Sequence, residues 1–241
     1  MMDYRLITEC GNREVNEDYV VAETSGNINC FVLCDGLGGH SMGDVSSEIV
    51  ASSLTNFFKE HSETDKDIVS EGLEKAQKEL LDKQIELNLR DDMKTTAVVL
   101  LTDENSAIWA HIGDSRLYLF HKNKIVLRTL DHSVPQMLAL AGDIKESKIR
   151  KHPERNSLLR VMGAEWNARK YEISDRVSLD KCQAFLLCSD GFWEYITEKK
   201  MCRFLKKCRN ANEWMNFMLE EVRKNAVGEV MDNYSAIAVI I

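Results

Sequence analysis

The spacing of hydrophobic residues along this chain changes several times, and each change predicts a new element. Apolar or alternating runs bounded by turn residues predict strands at 4–7, 19–23, 30–34, 96–101, 107–112, 117–120, 125–127, 184–188 and 235–241. Apolar residues at helical spacing predict helices after Gly43, from about Asp67, and at 136–140, 198–207 and 212–225. These helices stand between groups of strands rather than after each strand. The pattern therefore favours an α+β fold with helices packed on antiparallel sheets over a regular βαβ alternation.

Acidic residues recur where the predicted strands begin or end. A buried-strand pattern leads directly into Asp35-Gly36, and the same arrangement returns at Asp190-Gly191. A single Asp-Gly pair is most often an ordinary turn. Several acidic groups at strand boundaries across the whole chain instead predict a shared, oxygen-rich pocket, which suits hard cations such as Mg²⁺ or Mn²⁺. The residues placed in this way are Glu17, Asp18, Asp35, Asp114, Asp190 and Asp232.

A pocket with two neighbouring cations favours the chemistry of phosphoryl groups. Water bound between two such ions becomes a nucleophile at neutral pH. The remaining charge of a phosphoryl group is well matched by the planar, bidentate donor set of arginine. Arg13 lies four residues before Glu17 and is the candidate for this contact. The alternative for Arg13 is a solvated loop cation or a surface ion pair.

Length, charge and cysteine content narrow the protein class. The 241 residues suffice for one large domain or two small ones, and because no linker is evident we expect a single domain spanning 1–241. A net charge of −8 with interspersed signs argues against nucleic-acid binding. No apolar run reaches the length of a membrane span, and the N-terminus lacks a signal-peptide pattern. Seven cysteines without a CxxC pair are expected as reduced thiols, so the sequence predicts a cytoplasmic protein.

The segment 131–165 interrupts the regular series of strands. It holds both prolines of the chain, Pro135 and Pro153, and its length is typical of a functional lid. Its basic residues suggest acidic or phosphorylated partners, although a solvated charged face is the alternative. These residues are Lys145, Lys148, Arg150, Lys151 and Arg155.

Taken in order, the motifs resemble the metal-dependent protein phosphatases of type 2C, and more closely the compact bacterial members. The similarity extends from about residue 4 to the C-terminus. No single motif is specific, but seven in the family's order are. The motifs are Gly11-x-Arg13-x2-Asn16-Glu17-Asp18, Asp35-Gly36-x-Gly38-Gly39, Thr95-Thr96, Gly113-Asp114-Ser115-Arg116, Asp131-His132-Ser133, Ser189-Asp190-Gly191 and Asp232-Asn233.

The resemblance implies a four-layer α-β-β-α sandwich of two antiparallel sheets flanked by helix pairs, with a binuclear Mn²⁺ or Mg²⁺ site at one end. It implies that Asp35 bridges the two metals and that Asp190 and Asp232 complete one of them. The Gly36 carbonyl and, through water, Glu17 serve the other. The expected role of Asp18 is to orient metal-bound waters without binding a metal, and that of Arg13 is to bind phosphate. The segment 131–165 corresponds to the flap beside the substrate groove.

Some positions depart from the family pattern. Leu37 stands where some members carry a histidine proposed as general acid, and that role is not transferred to His40, which is interpreted as an ordinary loop histidine. A metal-bound water is then one source of the proton for the leaving group. Asp114 matches a ligand of a third, weaker metal, whose usual aspartate partner is here Glu194. The alternative is that Asp114 pairs with Arg116 or caps a turn. In the last motif Ser235 replaces the usual threonine.

The function implied is that of a serine/threonine phosphoprotein phosphatase with two Mn²⁺ or Mg²⁺ ions, and a possible third, in which a metal-activated water attacks the phosphoryl group directly. The alternatives are an inactive phosphatase fold used for binding and a hydrolase of small phosphate esters. The expected partners are phosphorylated proteins, among them a cognate serine/threonine kinase. A monomer that binds neither nucleic acid nor membranes is expected.

Overall fold

Two antiparallel sheets form the centre of the computed structural model, which describes residues 2–37, 42–61, 63–89, 92–166 and 170–241. The strands are β1 (Asp3–Glu9), β2 (Asp18–Ser25), β3 (Ile28–Leu37), β4 (Lys94–Thr95), β5 (Ala97–Thr102), β6 (Ser106–Ile112), β7 (Arg116–His121), β8 (Lys124–Arg128), β9 (Glu172–Ile173), β10 (Val177–Ser178), β11 (Ala184–Cys188) and β12 (Tyr234–Ile240). The helices are α1 (Gly43–Lys59), α2 (Lys66–Leu87), α3 (Val134–Ala141), α4 (Asp190–Trp193), α5 (Glu198–Leu205) and α6 (Ala211–Asn225). Two 3₁₀ turns cover Glu146–Lys151 and Leu179–Lys181.

The strands form two sheets. Each sheet contains strands from the N-terminal part of the chain and strands from farther along it. One sheet has the order β1-β12-β11-β7-β8. The other has the order β10-β6-β5-β3-β2, with β4 paired to the end of β3 and β9 paired to β6. Every pairing between these strands is antiparallel, as the short connections in the sequence predicted.

Strand β3 is buried on both faces, which explains why its sequence is an unbroken apolar run. Phe31 and Leu33 point into the core between the two sheets, whereas Cys30, Val32 and Cys34 point into the core beneath α1 and α2. A strand that is buried on both faces has no solvent side on which polar residues would alternate. The cysteines here pack as small hydrophobic side chains, as expected from their place in the run.

Strand β11 is buried in the same way in the other sheet. Phe185 and Leu187 pack against the sheet that contains β3, while Leu186 and Cys188 pack beneath the later helices with Trp214 of α6. The three cores therefore lie between α1–α2 and a sheet, between the two sheets, and between the other sheet and α4–α6. This arrangement confirms the predicted four-layer α-β-β-α sandwich.

Helix starts follow local capping chemistry. The Asp65 side chain accepts a 2.9 Å hydrogen bond from the Ile68 N–H at the start of α2, and Asn210 accepts one of 2.8 Å from the Glu213 N–H at the start of α6. Each cap satisfies a backbone donor that has no partner within the helix. Both helices consequently begin one residue earlier than the apolar spacing predicted.

The segment 131–165 crosses one end of the sandwich and is tied to it at several points. It contains α3, the first 3₁₀ turn and an extended stretch whose Leu158 is bridged to Ser133 within the segment. The segment is joined to the core by the bridge of Met162 with Thr95 and by the hydrogen bond from the His132 N–H to the Gly113 carbonyl oxygen. We call this segment the flap. Among the residues that the structure describes, no helix is both long and apolar enough to cross a membrane.

Candidate active site

A cavity of about 480 Å³ opens at the end of the sandwich beside the flap. It collects most of the acidic residues that the sequence singled out, although they come from distant parts of the chain. Glu194 directly follows α4 and Asp18 lies beneath the cavity, and neither lines it. The predicted site residues that line the cavity are Arg13, Glu17, Asp35, Gly36, Asp114, Asp190 and Asp232.

The sheet topology explains why these residues converge. Asp18 and Asp35 face each other across the β2–β3 pair, in register. Asp190 lies two residues after the end of β11 and Asp232 lies two residues before the start of β12, and these two strands are antiparallel neighbours in the other sheet. The end of one strand and the start of its antiparallel neighbour meet at the same edge, so stacking the two sheets brings both pairs of carboxylates together.

The backbone of Asp35 is held by hydroxyl groups on both sides. The Asp35 N–H donates to Thr96 Oγ1 at 3.1 Å, and its carbonyl oxygen accepts from the Thr96 N–H and from Thr95 Oγ1, each at 2.8 Å. Thr96 Oγ1 also lies 2.8 Å from the Ser115 hydroxyl, next to Asp114. These bonds fix the direction of the Asp35 side chain. The Thr95-Thr96 motif marked these residues in the sequence, but not their role.

The Asn233 side chain holds the backbone of the loop that carries Arg13 and Glu17. Its Oδ1 accepts a 2.9 Å hydrogen bond from the Glu17 N–H, and its Nδ2 donates to the carbonyl oxygens of Cys10 and Val15 at 2.9 and 3.0 Å. The amide therefore joins the N-terminal loop to the start of β12 beside Asp232. The sequence marked Asn233 as part of a motif but did not indicate this contact.

Gly36 lies where no side chain fits. A Cβ atom at this position would come within 2.2 Å of the Gly43 carbonyl oxygen and within 2.7 Å of the Glu17 carbonyl oxygen. The Gly36 N–H donates to that Glu17 carbonyl at 3.0 Å. The close approach of three backbone segments explains the glycine after Asp35 and keeps the β3 end open toward the cavity.

The carboxylates of this site repel one another. Burial first, and then the charges of Asp18 and Asp190, raise the pKa of Asp35 well above its usual range. Burial and the charge of Asp232 raise the pKa of Asp190 to about 6. Burial also raises the pKa of Asp114 well above its usual range, with the charge of Asp190 next in importance. Clustered carboxylates of this kind are stabilised by positive charge bound among them.

The site also contains an acceptor that lacks a protein partner. Asp18 Oδ2 accepts a 2.9 Å hydrogen bond from Ser189 Oγ, whereas Asp18 Oδ1 is buried with no hydrogen bond from the described residues. Burial raises the pKa of Asp18 to about 7, although the neighbouring Ser235 and Ser189 hydroxyl groups act in the opposite direction. A buried, unpartnered oxygen beside further carboxylates fits a site for divalent cations and their waters, since Mn²⁺ and Mg²⁺ prefer hard oxygen ligands.

Arg13 pairs with one of these carboxylates. Its Nη2 donates to Asp232 Oδ2 at 2.7 Å, and both side chains are partly exposed to the cavity. This hydrogen bond, followed by the charge of Asp232, raises the pKa of Arg13. A guanidinium has five N–H donors in a planar fork, so the contact with Asp232 leaves donors for a phosphoryl oxygen.

The surroundings of Asp114 decide whether its side chain pairs with Arg116, which the sequence left open as an alternative to binding a third metal. Arg116 does not pair with Asp114. It forms a bidentate pair with Asp131, in which Nε–Oδ1 is 2.7 Å and Nη2–Oδ2 is 2.6 Å. The alternative in which Asp114 pairs with Arg116 is therefore wrong, because Arg116 points into the protein beneath the flap, whereas Asp114 lines the cavity.

Glu194 lies one helical turn after Asp190, as predicted. Its N–H donates to the Asp190 carbonyl oxygen at 2.9 Å. Its side chain meets the flap, where Arg155 Nε lies 2.7 Å from Glu194 Oε1. Burial and the charge of Asp190 raise the pKa of Glu194 to about 7, although Arg155 acts in the opposite direction. The flap is therefore joined to the catalytic end by an ion pair that the sequence did not indicate.

A second group of possible ligands lies outside the cavity. Ligand atoms of His111, His132 and Glu172 lie within 4.8 Å of one another. His132 Nδ1 accepts a 3.2 Å hydrogen bond from the Gly113 N–H, and burial lowers the pKa of His132 to about 2. A neutral ring that accepts at Nδ1 carries its proton on Nε2, so Nε2 is not available as a ligand. This group instead holds the turn that precedes Asp114.

The loop with Gly38, Gly39 and His40 lies outside the described residues. The glycine part of the second motif and the interpretation of His40 therefore stay predictions. Leu37, the residue before this loop, is the last residue of β3 and lines the cavity.

Comparison with protein families and curated proteins identifies close counterparts of this chain. The family model described as protein phosphatase 2C matches residues 10–229. A serine/threonine phosphatase stp from Listeria welshimeri is 34% identical over 211 residues, which cover 83% of this chain and 81% of the relative. Protein phosphatase PhpP from Streptococcus pneumoniae is 31% identical over 208 residues, which cover 81% of each protein.

Solved structures give the same result. The crystal structure of the serine/threonine phosphatase Stp1 from Staphylococcus aureus superposes with a TM-score of 0.90 at 27% identity, covering 100% of this chain and 95% of that one. The catalytic domain of the phosphatase PstP, solved in complex with two manganese ions, superposes with a TM-score of 0.83 at 22% identity, covering 99% and 97%. At that identity the second likeness supports the fold alone.

Proposed function

This chain belongs to the protein phosphatase 2C family of metal-dependent serine/threonine phosphatases, and we propose that the acidic cavity at the end of its sandwich is the active site. The enzyme hydrolyses phosphoserine and phosphothreonine in proteins. The proposed metals are two Mn²⁺ or Mg²⁺ ions. When bound, they supply a water of lowered pKa as the nucleophile and neutralise charge on the phosphoryl group.

Each residue of the cavity has a proposed part in this reaction. Asp35 would hold both ions, because its carboxylate is fixed at the β3 end by bonds from Thr95 and Thr96 to its backbone. Asp190 and Asp232 would complete one ion from the adjacent sheet. The Gly36 carbonyl and the Glu17 side chain would serve the other ion and its waters.

Two further residues act beside the ions. Asp18 accepts from Ser189 through one oxygen and has its second oxygen buried and free to accept from water. It is proposed to orient waters rather than to bind metal. Arg13 is proposed to bind the phosphoryl oxygens, since its partly exposed guanidinium already faces the cavity beside Asp232.

The convergence of Asp35, Asp190 and Asp232 on one cavity carries this proposal. The experiment that tests it measures release of phosphate from a phosphothreonine peptide by the purified protein. Activity is expected with Mn²⁺ or Mg²⁺, to stop on chelation, and to return when the metal is added back. Full activity after exhaustive chelation would contradict the two-metal mechanism. The comparisons give no support to an inactive binding module or to a hydrolase of small phosphate esters.

The wider predictions concern partners. Phosphorylated proteins are the proposed substrates, with a cognate serine/threonine kinase among them. The monomeric state and the cytoplasmic location expected from the sequence stay predictions.

Arg13→Ala is expected to weaken the use of phosphosubstrates by roughly ten- to a hundredfold, the value of a charge-assisted hydrogen bond of about 1.5–3 kcal/mol. The loss falls mainly on KM if the contact is equal in the ground and transition states. Steady-state kinetics at saturating metal, together with metal affinity from calorimetry, test this. A large fall in metal affinity without a change in kinetics would show that Arg13 acts on the metals and not on phosphate.

Asp114→Ala tests the third metal. We expect the two tightly bound ions to be kept, and the metal concentration for half-maximal activity to rise by about tenfold. Glu194→Gln should raise it in the same direction if Glu194 is the second ligand. If Glu194 serves only as the partner of Arg155, Glu194→Gln will leave the metal titration unchanged. Identical titrations for wild type and Asp114→Ala, at unchanged thermal stability, would rule out a third metal in the reaction.

A further inference from the structure

One wall of the catalytic cavity is apolar. The flap contributes Leu158, Leu159 and Val161 to the cavity lining, and we call these three residues the apolar strip. Leu37, at the end of β3, adds a further apolar side chain to the lining. The apolar strip therefore borders the same space as the carboxylates proposed to hold the metals.

The apolar strip is fixed in place by backbone hydrogen bonds. The Leu159 N–H donates to the His132 carbonyl oxygen at 2.8 Å, and the Met162 N–H donates to the Thr95 carbonyl oxygen, also at 2.8 Å. The Val161 carbonyl oxygen accepts from Trp166 Nε1 at 3.1 Å. His132 is in turn joined to the sandwich, because its N–H donates to the Gly113 carbonyl oxygen at 2.9 Å. The strip is therefore anchored on both sides, and its side chains form a preformed surface.

The side chain of Leu159 is exposed to solvent at the edge of the cavity, although exposing an apolar side chain to water is unfavourable. Its relative accessibility is 54%, although it lies on an ordered segment beside the cavity. Leu158 is partly buried and Val161 is buried, so Leu159 is the exposed member of the strip. Binding pockets typically combine such an apolar lining with a few polar groups. A substrate chain whose phosphorylated residue reaches the metals passes this strip, because both line one cavity.

Charge does not offer an equal surface for an acidic substrate. Arg150 of the flap pairs with Glu198, and Arg155 pairs with Glu194. Neither arginine lines the catalytic cavity. These two flap cations are therefore paired within the protein. The cations that line the cavity, Arg13 and Lys94, lie outside the flap, and on the flap side the lining is mainly apolar.

We propose that the apolar strip binds an apolar side chain next to the phosphorylated residue, so that the enzyme selects phosphoproteins whose phosphoserine or phosphothreonine is flanked by leucine, isoleucine, valine, methionine or phenylalanine. The proposal rests on the proposed function and adds the substrate class to it. It also makes Leu159 a specificity-determining residue.

The test uses a set of phosphothreonine peptides that differ at a single flanking position. Each of the two positions before and the two positions after the phosphothreonine is varied in turn, and it carries glycine, leucine or glutamate. At one flanking position, leucine is expected to raise kcat/KM about tenfold over glycine, the value of partly burying one leucine side chain. Glutamate at that position is expected to give no gain. In Leu159→Ser the leucine-to-glycine ratio should fall close to one, whereas Leu159→Met should restore it.

Leu140→Ser is the matched control. Leu140 is a flap leucine of 60% relative accessibility in α3 that does not line the cavity, so this variant should keep the wild-type ratio. Equal kcat/KM for leucine and glycine at every position, a preference for glutamate, or an unchanged ratio in Leu159→Ser would overturn the proposal. An equal loss in Leu140→Ser would overturn it too. Failure to hydrolyse any of the peptides with Mn²⁺ or Mg²⁺ would instead contradict the proposed function itself.

Discussion

Asp35→Asn is expected to lower kcat by about a thousandfold or more, the largest effect of any single substitution in this protein. A neutral amide cannot hold two dications or compensate their charge, and charge stabilisation by bound metal is worth several kcal/mol in such reactions. The backbone bonds from Thr95 and Thr96 do not involve the carboxylate, so the substitution should leave the fold intact.

The same substitution is expected to stabilise the chelator-treated protein. The pKa of Asp35 is raised in the folded state, so its ionised form disfavours folding at pH 7.5, above the pKa of an unfolded aspartate. Removing that charge should therefore raise the Tm of the chelator-treated protein at this pH. The gain should shrink as the pH falls through about 4, the pKa of an unfolded aspartate, because below it the carboxyl group is protonated in both states.

Kinetics with saturating Mn²⁺ and thermal unfolding in chelator measure the two effects together. Asp67→Asn is the matched control, since Asp67 is an exposed aspartate in the first turn of α2 and away from the cavity. That variant should keep both turnover and Tm. Turnover near that of the wild type in Asp35→Asn would mean that Asp35 does not join the two metals.

Asp131→Ala is expected to lower the stability of the fold more than any other change outside the hydrophobic core. The side chains of Arg116 and Asp131 are only 2% and 1% exposed, and Asp131 is the bidentate partner of that guanidinium. Removing it leaves the buried guanidinium with only the more distant Glu198 carboxylate, 4.0 Å from Nη1. Breaking a buried pair in this way costs about 3–5 kcal/mol. For a chain of this size that corresponds to a fall in Tm of about 6–20 °C.

The effect should extend to the active site. The Arg116 guanidinium lies 3.4 Å from the centre of the Trp193 ring, and Trp193 Nε1 donates to the Asp114 carbonyl oxygen at 3.0 Å. Loosening Arg116 therefore releases the end of α4 and the turn that carries Asp114. We expect a higher metal requirement for activity in Asp131→Ala, even at temperatures where it is folded.

Two further variants separate the buried pair from ion pairs in general. The double variant Arg116→Met with Asp131→Leu should recover most of the lost stability, because no buried charge is left alone. Asp175→Ala breaks the exposed pair with Lys66 and should change Tm by no more than about 1–2 °C. Equal losses in Asp131→Ala and Asp175→Ala, measured by thermal unfolding, would contradict the special weight given to burial.

The fold was largely predictable because its strands carry strong patterns. Strands such as β3 and β11 are buried on both faces and appear as unbroken apolar runs. The two-residue strands β4, β9 and β10 were not predicted, since so short a segment has no period to detect. No sequence pattern independently indicated the four-residue helix α4. A helical turn was assumed there only because it would place Glu194 near Asp190.

The site was predictable in its residues but not in its contacts. The carboxylates could be found from their positions at strand ends and from the family resemblance. The roles of Thr96 and Asn233 depend on hydrogen bonds between segments that are distant in sequence, which no local pattern encodes. The pairing of Asp114 with Arg116 was the alternative that closeness in sequence offered. It failed because the partner of Arg116, Asp131, comes from the flap.

Anomalous diffraction from crystals of this protein grown with Mn²⁺ tests the central claim most directly. The account predicts two strong peaks in the cavity, both contacted by the Asp35 carboxylate. Asp190 and Asp232 should contact one of them, and the Gly36 carbonyl should contact the other. A single peak, peaks that Asp35 does not touch, or density only beside His111, His132 and Glu172 would contradict it.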